Sequence, residues 1–172
     1  SEPFTKGVKS VDSNAEVVSK LDGGGSAEQS LAAAQDMLQA HPEVNIVYGS
    51  NSDMVLAALS AFESAGRGKA VDGKPVSEIF IGTDATAAEL LKLFDPGSSF
   101  KITQGLQPKI NAEAEVDTMM QMINGEIPMD EWKEVPTLNK LFTYWDNTVD
   151  EGTTFLQDQY FLDVDLVEEL GM

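Results

Sequence analysis

Short β-branched and aromatic runs alternate along the chain with longer stretches whose apolar residues recur every three or four positions. Val44 to Tyr48 is one such run and reads as a strand. From Asp53 the apolar residues Met54, Val55, Ala58, Leu59 and Phe62 keep helical spacing, which predicts a helix from about Ser52 to Ala65, ended by Gly66. The cycle repeats in "SEIFIGTD", Ser77 to Asp84, which leads into the helix "ATAAELLKLF", opened by Asp84 or by Thr86 with Glu89 three residues later. "DPGSS" breaks that helix, and "FKITQGL" then gives a further strand. Pro108 begins a long helix, "PKINAEAEVDTMMQMINGE", at a first-turn position that needs no amide donor. Upstream, Phe4 to Val11 predicts a short helix and "AEVVSKL", Ala15 to Leu21, a strand. Ser26 and Gln29 form a capping box for a helix with Leu31, Ala34, Met37 and Leu38 on one face, stopped at His41-Pro42.

Strands alternating with helices of this length predict an α/β fold: an open, mostly parallel sheet with helices on both faces. Right-handed crossovers then bring the strand carboxyl ends to one edge. Residues 1–130 form this α/β lobe. The pattern loosens after Gly125, and residues 131–172 read as a C-terminal tail that crosses or wraps the domain. The tail holds Trp132, Phe142, Tyr144, Trp145, Phe155, Tyr160 and Phe161. "DNTVDEG" within it misses the ligand spacing of a calcium loop and reads as a solvated turn. Met119, Met120 and Met122 on the long helix read as core.

Composition narrows the function. At 172 residues, 42% apolar and 23% charged, the chain suits one soluble globular domain. Its 29 acidic against 11 basic residues give a formal charge of −18, with Arg67 the sole arginine. Phosphate backbones and anionic lipid would repel it, so no nucleic-acid partner is expected. The absence of cysteine removes disulfides, thiolate nucleophiles and cysteine metal sites. Ser1 to Phe4 carries neither a basic n-region nor an apolar h-region, and no apolar run reaches membrane-spanning length.

In open parallel sheets ligands bind outside the strand carboxyl ends. Three successive strands end there in Asn51, Asp84 and Gln104, a set of mixed donors and acceptors suited to the hydroxyls of a polyol. Helix capping accounts for Asn51 or Asp84, taken singly, as readily as binding does. Gln104 alone reads as structural; their shared edge favours a site. His41 has no partner for acid–base chemistry and reads as a surface or capping residue. "DGGGSAEQS" lacks the lysine of a P-loop and the spacing of a dinucleotide fingerprint, and reads as a flexible turn.

These motifs have an order. "HPEVNIVYGSNSDMVLAALSAFESAGR", "IFIGTDATAAELLKLFDPG" and "KITQGLQP" followed by a helix ending in "INGE" resemble the C-terminal lobe of type I periplasmic solute-binding proteins, the sugar-binding components of ABC importers. The likeness runs from about Gly7 to Glu126. It implies a non-enzymatic two-lobed hinge protein without cofactor or metal, which closes on a small solute such as a monosaccharide and docks on an ABC permease. It also implies a periplasmic or extracellular place, as a secreted protein or lipoprotein. In that family the Asn of N-x-D and the Asp of G-x-D bind ligand hydroxyls, which carries over to Asn51 and Asp84. The family's glutamine lies two residues before the proline, where this chain has Leu106, so Gln104 and Gln107 on either side are candidates for the third contact. The family's arginine contact falls upstream of residue 1, with the missing N-terminal lobe. Two other classes stand beside this one. The effector-binding domain of a LacI-type regulator, or another sensor of small solutes, shares the lobes, but the charge and the lack of a basic helix-turn-helix oppose a regulator. An enzyme on a doubly wound sheet ranks last, for want of a nucleophile with a paired base or a phosphate loop.

Overall fold

A computed structural model describes residues 2–130 and 137–172; Trp132 lies outside the described residues. The elements run α1 (Glu2–Val11), α2 (Ala27–Ala40), β1 (Ile46–Tyr48), α3 (Ser52–Ser64), β2 (Ala70–Val71), β3 (Lys74–Pro75), β4 (Ile79–Asp84), α4 (Ala87–Phe94), β5 (Phe100–Leu106), α5 (Pro108–Ile123), β6 (Asn139–Thr143), α6 (Val149–Tyr160) and α7 (Leu166–Glu169). The main sheet has the order β1-β4-β5-β6. Its first three strands are parallel and β6 pairs antiparallel with β5. It is the open, mostly parallel α/β sheet that the alternation predicts.

The two faces differ. Val47, Phe80 and Phe142 lie in the buried core with Val55, Leu59 and Phe62 of α3, Leu90 and Leu93 of α4, Phe155 and Leu156 of α6, and Leu166 of α7. Edge-to-face rings lock two of these layers, Phe62 on Phe80 at 5.1 Å and Phe142 on Phe155 at 4.8 Å. On the other face α1 lays Phe4 flat on Tyr48, ring centroids 4.9 Å apart. Leu106 and Leu141 on that side stay exposed, at 38% and 60%.

One register slip fixes what the edge presents. Phe80 pairs with Phe100, but the next partners are Ile81 and Ile102, so Lys101 is an extra residue in β5. Without the slip, Gln104 would stand beside Asp84; with it, Gly105 does and Gln104 pairs with Thr83. A shift of one residue moves every following side chain to the opposite face. Gln104 and Leu106 are accordingly exposed while Thr103 and Gly105 are buried. Lys101 turns inward, fully buried, and its ammonium donates to Asp95 O at 2.9 Å and sits 3.7 Å from the Tyr144 ring centroid.

Arg67 and Glu78 knit the opposite edge. Arg67 Nε donates to Glu78 Oε2 at 2.6 Å, Nη1 to Pro42 O and Nη2 to Val44 O, both at 2.7 Å. The second carboxylate oxygen accepts from Gly68 N at 2.6 Å. One guanidinium thus ties the turn after α3 to the entries of β1 and β4, over a carboxylate left 2% exposed.

Five expectations need correction. Ala15 to Leu21 is not a strand: no residue of it pairs with the free side of β1. The strand expected from Val44 begins at Ile46, after the first bond to β4, which the Asn45 carbonyl accepts from Ile79 N at 3.0 Å. Ser26 caps α2 as expected, but the Ser26 amide bonds Gly23 O rather than Gln29, so the box is one-sided. "DNTVDEG" is a solvated turn only in its first half; Thr148 and Glu151 form a two-sided capping box that starts α6 at Val149. The methionines are not core: α5 buries no residue, and Met119 and Met120 are 56% and 48% exposed.

Candidate functional site

The site begins where β1 stops. The Gly49 amide extends the ladder to Ile81 O at 3.0 Å, and a Cβ on Gly49 would fall 2.5 Å from that of Val55. Only glycine lets α3 start this close to the strand. Asn51 then takes an extended conformation as the N-cap of α3, and its Oδ1 accepts from Met54 N at 2.8 Å. Capping occupies the carbonyl oxygen. The two amide hydrogens make no hydrogen bond among the described residues, so Asn51 caps and still offers donors.

Asp84 ends β4 on a bent backbone. Its φ is 107° and that of Ala85 is 50°, both on the side that favours glycine. Three elements hold this turn. The Ser52 amide of α3 donates to Asp84 Oδ2 at 2.9 Å, placing the carboxylate at the positive end of the helix dipole. Gly105 of β5 lies against the fully buried Ala85, where an added Cβ would be 3.1 Å from the alanine methyl and 2.8 Å from the Phe155 ring. From α6, the Tyr160 hydroxyl donates to the Asp84 carbonyl at 2.7 Å. Ser52 Oγ and Thr86 Oγ1 lie 2.7 Å apart and close the ring between the two helix starts. Asp84 Oδ1 has no partner among the described residues. Asn51 and Asp84 thus meet across Ser52, at the edge where the sequence places them.

Beneath them lies Glu89, fully buried. Its Oε2 accepts from Thr86 N at 3.2 Å and Thr103 Oγ1 at 3.1 Å, and its Oε1 is unpartnered among the described residues. Burial pushes its pKa up to about 7, outweighing the Thr103 and Thr86 hydrogen bonds, and the Asp84 charge adds to the rise. Burial, with the charges of Asp84 and Glu89, also lifts the Tyr160 phenol to about 12, so it remains a donor. A carboxyl whose folded pKa is raised binds a proton that the unfolded chain releases. Stability should therefore fall as pH rises from about 4.5 to about 7, by at most about 1.4 kcal/mol per pH unit from this group. The lowered Glu43, Glu151 and Asp158 act at more acid pH, below this window. Urea titrations at pH 5 and pH 8 check it: Glu89→Gln should flatten the difference, and an equal slope in both proteins would exclude Glu89 as its source.

The two glutamines stand apart from this pair. Gln104 is exposed on the partly open face, alternate to Gly105. Gln107 is the N-cap residue of α5 without a side-chain capping bond, and it lines a hollow with Lys140, Thr154, Phe155 and Asp158. The sequence reading left out Ser52, Glu89 and Tyr160. Glu89 was legible as a cap but not as a buried acid; nothing in the spacing links Tyr160 to a residue 76 positions earlier.

Comparison with known proteins agrees with the fold. A family model described as a periplasmic binding protein domain matches residues 1–127. Over 69 residues the chain is 35% identical to the ribose import binding protein RbsB of Escherichia coli K12, covering 38% of this chain and 23% of that protein. The solved arabinose ABC transporter binding protein of Shewanella sp. ANA-3 superposes with a TM-score of 0.69 at 18% identity, covering 93% of this chain and 49% of its own. The Caulobacter myo-inositol binding protein gives 0.66 at 19%, covering 81% and 44%. The chain thus spans about half the length of these structures. With the match running from α1 through the end of α5 and taking in both Asn51 and Asp84, the chain belongs to the periplasmic binding protein family.

Proposed function

We propose that this chain is half of a sugar-binding cleft, with Asn51 and Asp84 as its hydroxyl-binding residues. The observation that carries this is the pairing of their free groups. The Asn51 amide hydrogens and Asp84 Oδ1 have no partner among the described residues, while Asn51 Oδ1 and Asp84 Oδ2 are spent on the start of α3, where Ser52 joins the two residues. A donor pair next to an acceptor suits vicinal hydroxyls, each of which donates and accepts. This donor and acceptor set suits neutral hydroxyls, so the ligand is a neutral monosaccharide or cyclitol. Gln104 and Gln107 remain candidates for contacts further out. An N-terminal lobe supplies the opposing contacts and shuts out water on closure, and the closed form delivers its solute to an ABC permease from the periplasmic or extracellular side. Relatives named for binding ribose, galactofuranose, arabinose and myo-inositol support the sugar reading.

Titration calorimetry against D-ribose, D-galactose, L-arabinose, D-allose and myo-inositol tests this reading, using the chain alone and the chain joined to its N-terminal lobe. Tight binding of one sugar by the joined form and weak binding by the chain alone is expected, since half a cleft forfeits the opposing contacts. Binding by neither form would overturn it.

A further inference from the structure

We propose that Tyr160, reaching in from α6, is a positioning residue that holds Asp84 in its ligand-binding geometry; this rests on the sugar-site reading. Non-glycine residues at positive φ are strained and persist only where their surroundings over-determine them. Asp84 and Ala85 are two such residues in succession. The Ser52 amide holds the carboxylate, Gly105 makes room for Ala85, and the last pair of the β4–β5 ladder, Asp84 with Gly105, holds the strand side of the turn. The Tyr160 hydroxyl adds a side-chain donor to the Asp84 carbonyl, at 2.7 Å.

The hydroxyl is itself well placed. Tyr160 is the last residue of α6, and Phe161 behind it takes the left-handed conformation that ends the helix. Its ring packs edge-on against Phe155 at 5.8 Å, and Phe155 packs on Phe142 of β6. The donor therefore stands on a rigid aromatic stack while the acceptor sits on a strained two-residue turn. Removing the donor leaves the 84–85 peptide held only by the end of the β4–β5 ladder, and a rotation there draws the carboxylate off the Ser52 amide. Asn51 is untouched, so half of the site should survive.

The test is Tyr160→Phe, which keeps the ring and its packing, read by amide NMR of the 172-residue chain. Without sugar, the Ser52 amide proton should move upfield as its bond to Asp84 weakens, with the Met54 amide unchanged. An unmoved Ser52 amide overturns the proposal. Titrating both proteins with the same five sugars should then show about a tenfold loss of affinity in the variant, the scale of one well-made hydrogen bond to the site. A displaced Ser52 amide with unaltered affinity also overturns it. If the wild-type chain and its joined form bind no sugar while Ser52 still moves, the sugar reading fails and the positioning of Asp84 stands. Should Tyr160→Phe lose spectral dispersion, 3-fluorotyrosine at position 160 gives a stronger donor and should shift the Ser52 amide downfield; no shift there counts against the role.

Discussion

Replacing Glu78 with alanine should destabilise the chain by about 3–5 kcal/mol, the cost of stranding one member of a buried ion pair. Two donors lose their acceptor at once. The Arg67 guanidinium keeps Pro42 O and Val44 O but loses its counter-charge, and the Gly68 amide is left with no oxygen to meet. Glu78→Gln should cost less, because it keeps an acceptor of the same size while removing the charge. Arg67→Lys is not a mild change, since an ammonium cannot reach two carbonyls and a carboxylate in one plane as the guanidinium fork does. Urea midpoints of the three variants rank these effects. A loss under about 1 kcal/mol for Glu78→Ala, the range of exposed pairs, would mean that water screens the cluster.

Asp84→Ala should weaken sugar binding by roughly 10- to 100-fold in the joined two-lobed form, the usual cost of losing a charged hydrogen-bonding group. Its effect on folding should be smaller than that of Leu59→Ala, which opens a cavity in the core and costs about 2–5 kcal/mol. Asn51 needs a finer substitution because it does two jobs. Asn51→Ala loses the α3 cap, worth about 1 kcal/mol, together with the amide donors. Asn51→Ser keeps a capping oxygen and loses only the donors. Calorimetry and thermal melts on the same samples separate the roles: weak binding with a normal melt for Asn51→Ser identifies a ligand contact. Normal binding in Asn51→Ser and Asp84→Ala would make both residues caps and braces.

Much of the fold was legible because its elements are short-range. Apolar spacing placed α3 and β5, Thr86 with Glu89 marked the start of α4, and Pro108 the start of α5. What escaped were properties set by distant partners. Thr103 and Gly105 face inward and Gln104 outward because of one extra residue at Lys101, and no local pattern announces a bulge that tertiary packing decides. The apolar stripe on α5 suggests burial, yet burial needs a surface to meet; α5 buries no residue, and its Lys109 meets Asp158 of α6 as an ion pair. Asn51 and Asp84 were legible as a pair by their place after consecutive strands. The network that fixes Asp84 was not, because Tyr160 and Gly105 join it only once the sheet has formed.

The last strand and helices carry a consequence for synthesis. β6, α6 and α7 leave the ribosome after β1, β4 and β5, and they bring Phe142, Phe155, Leu156 and Leu166 to the core. Until then a nascent sheet of three parallel strands shows an unpaired β5 edge beside an unfilled apolar layer, the kind of intermediate that invites aggregation or chaperone binding. A pause or premature stop near residue 130 would leave most of the chain made and little of it able to stay folded.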